Sequence, residues 1–372
     1  MRVAIIHYWI IADRGGEKVV QALCKMFPQA VIYTHVADPE IAQRLFPGHE
    51  IRFTRIAKLP FARRHYQKYL PLMPAALEEL DLGEFDLILS SESGPAKGII
   101  PPPRALHVCY CHSPMRYVWD HYHLYKSAAG PIARLAMSHF APRLRLWDAT
   151  SAMRVDHFAA NSAFVAARIG KYYRREATVI APPVDVSRYL SVNRQNETAD
   201  RPYLWVGQLT AYKNAELAVR AFNESGKSLH IVGDGEERRK LERIAGPHIR
   251  FLGRVSHGAL LDAYATARAL IFPGEEDFGM VPVEAMAAGL PVIAWARGGA
   301  LETVKPQLSG VLFDEPSVDA LNEAVEQFEA TETSFDVSEL RAHAKTFDQK
   351  TFLTKFRTLL TNQGVRNDEI HD

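Results

Sequence analysis

Short runs rich in aliphatic and aromatic residues recur along this chain, and helix-compatible segments separate several of them. The first half contains Val3-Ala-Ile-Ile-His-Tyr8, Ala30-Val-Ile-Tyr33, Phe85-Asp-Leu-Ile-Leu89, His107-Val-Cys-Tyr-Cys111 and His157-Phe-Ala-Ala160. After the first run come a turn at Gly15-Gly16 and an amphipathic helix from about Glu17 to Met26. Strands that alternate with helices predict a parallel sheet covered on both faces, a doubly wound α/β domain. The rhythm stops near Ala181-Pro-Pro-Val-Asp185, and the polar stretch Ser191 to Asp200 reads as a linker. It restarts with Tyr203-Leu-Trp-Val-Gly207, Ser228 to Gly233, Ile249 to Gly253, Ala269 to Pro273 and Pro291 to Ala294. At 372 residues the chain exceeds one ordinary core. The expectation is two α/β domains in tandem, 1–190 and 191–345, then a C-terminal helix and polar tail over 346–372, frayed beyond about Asn362. Such domains bind ligands at the carboxyl ends of their strands, which predicts one cleft shared by both sheets.

Composition narrows the partners. Formal net charge is +1, which gives no case for nucleic acid. Three cysteines cannot build a disulfide framework and suit a reducing compartment. The first residues lack the pattern of a signal peptide, and no apolar run reaches the length of a spanning helix. The expected location is the cytoplasm.

The most informative stretch runs from Glu275 to Val292. Pro282 suits the first helical position, Gly289 the C-terminal cap, and Pro291 cannot continue the helix. This predicts a short helix whose free N–H groups, near Gly279, Met280 and Val281, favour a diphosphate. Glu276 precedes the helix and Glu284 is placed in its first turn, with seven residues between them. Carboxylates there suit the hydroxyls on either side of a diphosphate rather than the phosphates.

That string, Glu276-Asp-Phe278-Gly-Met-Val-Pro-Val-Glu284, resembles the signature of the family 4 retaining glycosyltransferases. Val206-Gly207-Gln208-Leu-Thr-Ala-Tyr-Lys213 resembles the family's phosphate loop, and Ile231 to Gly235 its second strand turn. Phe251-Leu-Gly-Arg-Val255 is similar to its base-binding strand end, and Gly298-Gly-Ala-Leu-Glu302 to its following glycine turn. Asn161-Ser162 and Val179 to Asp185 resemble the domain junction. The resemblance implies the GT-B fold, two Rossmann-like doubly wound domains facing across a cleft, with the acceptor on the N-terminal side and the nucleotide sugar on the C-terminal side. It also implies that Lys213 neutralises the donor diphosphate, Glu284 binds the ribose, Glu276 binds the donor sugar, and Gly253, Arg254 and Val255 hold the base. Gln208 stands where many members carry an arginine, so more of the charge falls to Lys213 and the helix end.

In the first half, His107 to Asp120 resembles the family's catalytic-histidine loop, in the version of bacterial mannosyltransferases acting on lipid-linked saccharides. The resemblance makes His112 the residue near the reacting carbon, with Arg116, Tyr117, Trp119 and Asp120 lining the sugar or acceptor side. Gly15 and Gly16 match its glycine loop beside the acceptor and diphosphate.

His107, Cys109 and Cys111 share one face of a strand, and His112 points the other way. Zinc sites use wider cysteine pairs and a second ligand cluster, so no metal and no cofactor are expected. The stretch Ile51 to Leu77 contains no acid, but holds Arg52, Arg55, Lys58, Arg63, Arg64 and Lys68 among Phe53, Phe61, Tyr66 and Tyr69. The residues admit both a solvated helix face and contact with an anionic lipid surface. The resemblance, with its lipid-linked acceptor, favours the membrane and a peripheral position on the cytoplasmic face of the inner membrane. Ala129 to Trp147 is a second stretch of the same type.

The combined expectation is a retaining hexosyltransferase, moving α-mannose from GDP-mannose to a polyprenyl-diphosphate-linked oligosaccharide in cell-surface polysaccharide synthesis. Two alternatives bind the same donor without transfer: a weakly active binding subunit, which Gln208 favours, and a sugar-nucleotide epimerase, which the spaced glutamates oppose.

Overall fold

Among the described residues, thirteen strands form two separate, wholly parallel sheets. The computed structural model describes residues 1–194 and 201–371, so residues 195–200 of the expected linker lie outside the described residues. In the first half β1 is Val3–His7, β2 Val31–Thr34, β3 Ile51–Phe53, β4 Leu87–Glu92, β5 Leu106–Cys111, β6 His157–Ala160 and β7 Ala177–Val179. Their spatial order is β3-β2-β1-β4-β5-β6-β7. In the second half β8 is Tyr203–Val206, β9 Leu229–Val232, β10 Ile249–Gly253, β11 Leu270–Phe272, β12 Val292–Trp295 and β13 Gly310–Phe313. These are ordered β10-β9-β8-β11-β12-β13.

The order reverses between β1 and β4 in one sheet and between β8 and β11 in the other. At such switch points the connections leave in opposite directions and open a crevice beyond the carboxyl ends of the strands. His7 and Ser91 are paired neighbours at the first switch point. Gly207 follows β8 and Gly274 lies just beyond β11 at the second.

The units divide earlier than the composition predicts. One comprises Met1–Pro182 with Phe352–Asp372, the other Pro183–Thr351. Val184 already pairs with Asp348, so the Pro182-Pro183 step ends the first unit before the polar stretch begins. The C-terminal segment is not an appendage. Phe352, Phe356, Leu359 and Leu360 of the helix Gln349–Asn362 enter the same apolar core as Ile5, Leu89 and Tyr110. Nor is the tail frayed: Ile370 is 5% exposed, and the His371 N–H donates to the Met26 carbonyl at 2.9 Å.

β4 begins and ends later than its apolar pattern predicts. Phe85 belongs to a turn, its N–H donating to Leu82, while Ser90, Ser91 and Glu92 complete the strand although all three are polar and buried. β3 and β7 are three-residue strands without a strong apolar signal of their own, and β13, though apolar, is only four residues long.

Candidate active site

The helix expected to begin at Pro282 spans Met280–Ala287. Proline sits in its first turn, where no N–H is required by the helix. The earlier start moves Glu284 out of the first turn and into the second. At the other end the Leu290 N–H donates to Ala285 at 2.8 Å and the Gly289 N–H to Met286 at 2.9 Å, a Schellman closure. Gly279 caps the N-terminus with φ +80°, a conformation that disfavours a β-carbon, and one placed there would come 3.1 Å from the Phe272 ring. Phe278 is buried against Phe347, so it anchors the turn. The Gly299 N–H donates to the Glu276 carbonyl at 2.8 Å, packing the second glycine turn onto the signature loop.

Lys213 Nζ lies 2.7 Å from Glu276 Oε1. Burial alone would lower the Lys213 ammonium, but Glu276, with a smaller contribution from Glu284, outweighs it and raises the group. Lys213 therefore stays charged beside both signature glutamates. Burial raises the Glu284 carboxyl to about 7, against hydrogen bonds from the Tyr189 and Tyr264 hydroxyls. These two tyrosines were not legible as site residues, since they come from segments without a motif. Gly207 and Leu209 pack on the β9 turn through N–H bonds to Val232 and Asp234 at 3.0 Å each. Gln208 is exposed. Gly253 is buried and its carbonyl accepts from the Gly233 N–H at 2.8 Å; Arg254 is exposed and Val255 half-buried. Met280 and Val281 are half-buried at the helix start. The second unit thus gathers a cation, two carboxylates and the N-terminus of a helix at its switch point.

In the first unit, His112 follows β5 and is half-buried. Its Nε2 lies 2.8 Å from Ser91 Oγ, and Ser91 Oγ lies 3.1 Å from His7 Nδ1. Burial pushes the His112 imidazole down to about 3, with the neighbouring His7 adding to the shift. Gly15 and Gly16 open the helix Gly15–Met26, as expected. A β-carbon on Gly16 would come 2.5 Å from the Tyr8 hydroxyl, and one on Gly94 would lie 3.6 Å from Tyr8 and 3.8 Å from the Tyr117 hydroxyl. Tyr117 and Arg116 are both half-buried on the loop that follows His112.

Trp119 and Asp120 both make contacts within the first unit. Trp119 stacks on Tyr172 and donates to Asp148 at 2.7 Å, while Asp120 pairs with Arg168 at 2.6 Å. These contacts help hold the His112 loop, while Asp120 remains exposed. Asp148 is itself buried, pairs with Lys97 and accepts from Tyr173 at 2.8 Å. His107 is likewise satisfied by protein groups, Ser90 at 2.9 Å and the Arg154 carbonyl at 3.1 Å.

Residues 14–188 match the family described as Glycosyltransferase Family 4, and residues 192–351 match Glycosyl transferases group 1. A GDP-mannose-dependent alpha-mannosyltransferase of Mycolicibacterium smegmatis is 42% identical over 112 residues, covering 30% of this chain and 29% of that protein. Another of that description, from Mycobacterium tuberculosis, is 32% identical over 189 residues, covering 48% of this chain and 47% of its own. The matched stretches therefore span less than half the length of either relative. Among solved structures, Anabaena HepE in complex with UDP aligns over 97% of this chain and 100% of its own, with 18% identity and a TM-score of 0.72. With both halves matched in order and the fold shared along nearly the whole length, the chain belongs to the family 4 glycosyltransferases of GT-B fold.

Proposed function

We propose that the protein is a retaining mannosyltransferase that uses GDP-mannose and a lipid-linked saccharide acceptor. The observation that carries this reading is the grouping of Lys213, Glu276 and Glu284 at the switch point of the second sheet. A nucleoside diphosphate there meets the Lys213 ammonium and the N–H groups at Gly279 to Val281, which stabilise the departing charge without a divalent metal. Glu284 takes the ribose and Glu276 the sugar hydroxyls. The bond from sugar C1 to the diphosphate breaks, the acceptor oxygen bonds to C1 on the same face, and the acceptor's proton passes to the diphosphate. His112, neutral under these conditions, orients the sugar. Positioning and electrostatics supply the rate. Mannose and guanine are favoured by the descriptions of the mannosyltransferase relatives.

Among the described residues no helix is long and apolar enough to cross a membrane. A peripheral contact suits the first unit. Phe61, Ile132, Leu135 and Leu146 are 76%, 87%, 74% and 69% exposed. Leu70 packs with the helix Pro131–Ser151 in one cluster, which joins the two stretches into one surface. Lys58, Arg63, Arg64 and Lys68 are exposed and form no ion pair among the described residues, whereas Arg52 pairs with Glu50 and Glu84, and Arg55 with Glu79. Two of the six cations expected to face lipid are thus neutralised by acids just outside the stretch.

The test is a panel of sugar nucleotides scored by thermal stabilisation and by transfer to a lipid-linked acceptor in excess chelator. GDP-mannose should raise the melting temperature most and support transfer. Stabilisation by another sugar nucleotide alone would move the donor assignment, and binding without any transfer would favour a binding subunit.

A further inference from the structure

Three polar side chains stand in line behind the ring of His112. The ends of β1, β4 and β5 and the first turn of the helix Gly15–Met26 supply Glu17, His7, Ser91 and His112. His7, Glu17 and Ser91 are 1%, 3% and 0% exposed. Glu17 Oε1 lies 3.9 Å from His7 Nε2, which has no hydrogen-bond partner among the described residues. The other carboxylate oxygen is anchored by the Arg14 N–H at 3.1 Å. His7 Nδ1, Ser91 Oγ and His112 Nε2 then follow at hydrogen-bond distance.

Ser91 has one hydroxyl hydrogen and an imidazole on each side, so it donates to one ring and accepts from the other. If it donated to His112, it would accept from His7 Nδ1–H, and the lone pair of His7 Nε2 would face the Glu17 carboxylate. If it donates to His7, the Nε2–H of His7 faces the carboxylate, and the hydroxyl oxygen accepts from Nε2–H of His112. At 3.9 Å between two buried side chains, the attraction between N–H and carboxylate selects the second arrangement.

We propose that Glu17, acting through His7 and Ser91, fixes the tautomer of His112, with the hydrogen on Nε2 and Nδ1 left as a bare acceptor. Burial keeps the ring neutral, so the tautomer alone decides which side donates. Given the reading in which His112 meets the donor sugar, the sugar position facing it must carry a hydroxyl. A deoxy sugar loses that hydrogen bond, and a carboxylate or carbonyl meets a lone pair. Glu17, His7 and Ser91 are positioning residues.

The test is a long-range proton–nitrogen correlation spectrum of the full chain labelled with nitrogen-15 in histidine. The parent should show both His7 and His112 with Nε2 protonated and Nδ1 bare. Ser91→Ala should release His112 into a mixture while His7 keeps its tautomer. Glu17→Gln, whose carbonyl oxygen can complete the helix cap while its amide N–H faces His7 Nε2, should shift both rings toward the Nδ1-protonated form. In each variant kcat should fall about tenfold, with nucleotide affinity within about twofold. A parent His112 protonated on Nδ1, or no change at His112 in either variant, overturns the relay. A shifted tautomer with unchanged kcat overturns its role in transfer. The spectra need no substrate, so failure of the mannosyltransferase reading leaves this result separately readable.

Discussion

Lys213 and Glu276 neutralise each other across 2.7 Å. A donor diphosphate must therefore draw the ammonium away from a carboxylate that then becomes available to the sugar. Glu276→Gln should leave GDP affinity unchanged or improve it a few-fold, while kcat falls. Lys213→Ala should lower kcat by about a hundredfold or more, the cost of removing one donor to a developing negative charge. Calorimetry with GDP beside steady-state transfer checks both; weaker GDP binding in Glu276→Gln would refute the exchange of partners.

Glu284 introduces a pH dependence. Its carboxyl is raised to about 7, so it is mostly protonated at pH 6 and mostly ionised at pH 8. An ionised carboxylate accepts from both ribose hydroxyls, whereas the acid offers one hydrogen to groups that already donate. Nucleoside affinity should rise with pH across this window, by up to about tenfold if only the ionised form binds. The rise should be absent in Glu284→Gln, and guanosine is the probe because it lacks titrating phosphates. An equal rise in both proteins would assign it elsewhere.

The cation surface of the first unit should be carried by the unpaired residues. Arg63→Gln with Arg64→Gln should weaken binding to phosphatidylserine vesicles by about 2 kcal/mol, roughly thirtyfold, at about 1 kcal/mol per charge. Arg52→Gln with Arg55→Gln should weaken it far less, because their charges are already met by Glu50, Glu84 and Glu79. Co-sedimentation at fixed ionic strength separates the two pairs, and equal losses would remove the distinction.

Phe356 tests whether the C-terminal helix is part of the first unit. It is fully buried, stacked on Phe352 with ring centres 5.5 Å apart. Phe356→Ala should cost about 3–5 kcal/mol in urea unfolding followed by a probe in residues 1–182. A loss under about 1 kcal/mol would mean the helix is dispensable to that core.

The parallel architecture was legible because it is written locally. Val3 to His7 and Ile249 to Gly253 are apolar runs of strand length, and helix-length segments between such runs oblige parallel pairing. Gly289 was readable as the helix's C-terminal cap because caps depend on neighbouring backbone groups, whereas the start at Met280, two residues before Pro282, was not. The polar half of β4 was not readable. Ser90, Ser91 and Glu92 carry no apolar signal, and they are strand residues because β1 and β5, distant in sequence, pair with them.

The sequence by itself determined the fold class, most of the strands along the chain, and the residues Lys213, Glu276, Glu284 and His112 as the candidates for chemistry. Only the tertiary structure decided who their partners are. Tyr189 and Tyr264 reach Glu284, and Glu17, His7 and Ser91 line up behind His112, because adjacent strand ends and helix starts bring them together. It also paired Trp119 with Asp148 and Asp120 with Arg168, and placed Phe352 to Ile370 in the first unit rather than beyond the second. Each of these depends on burial and on contacts between residues far apart in the chain. Local propensity and spacing carry no record of such contacts, so those assignments had to await the folded molecule.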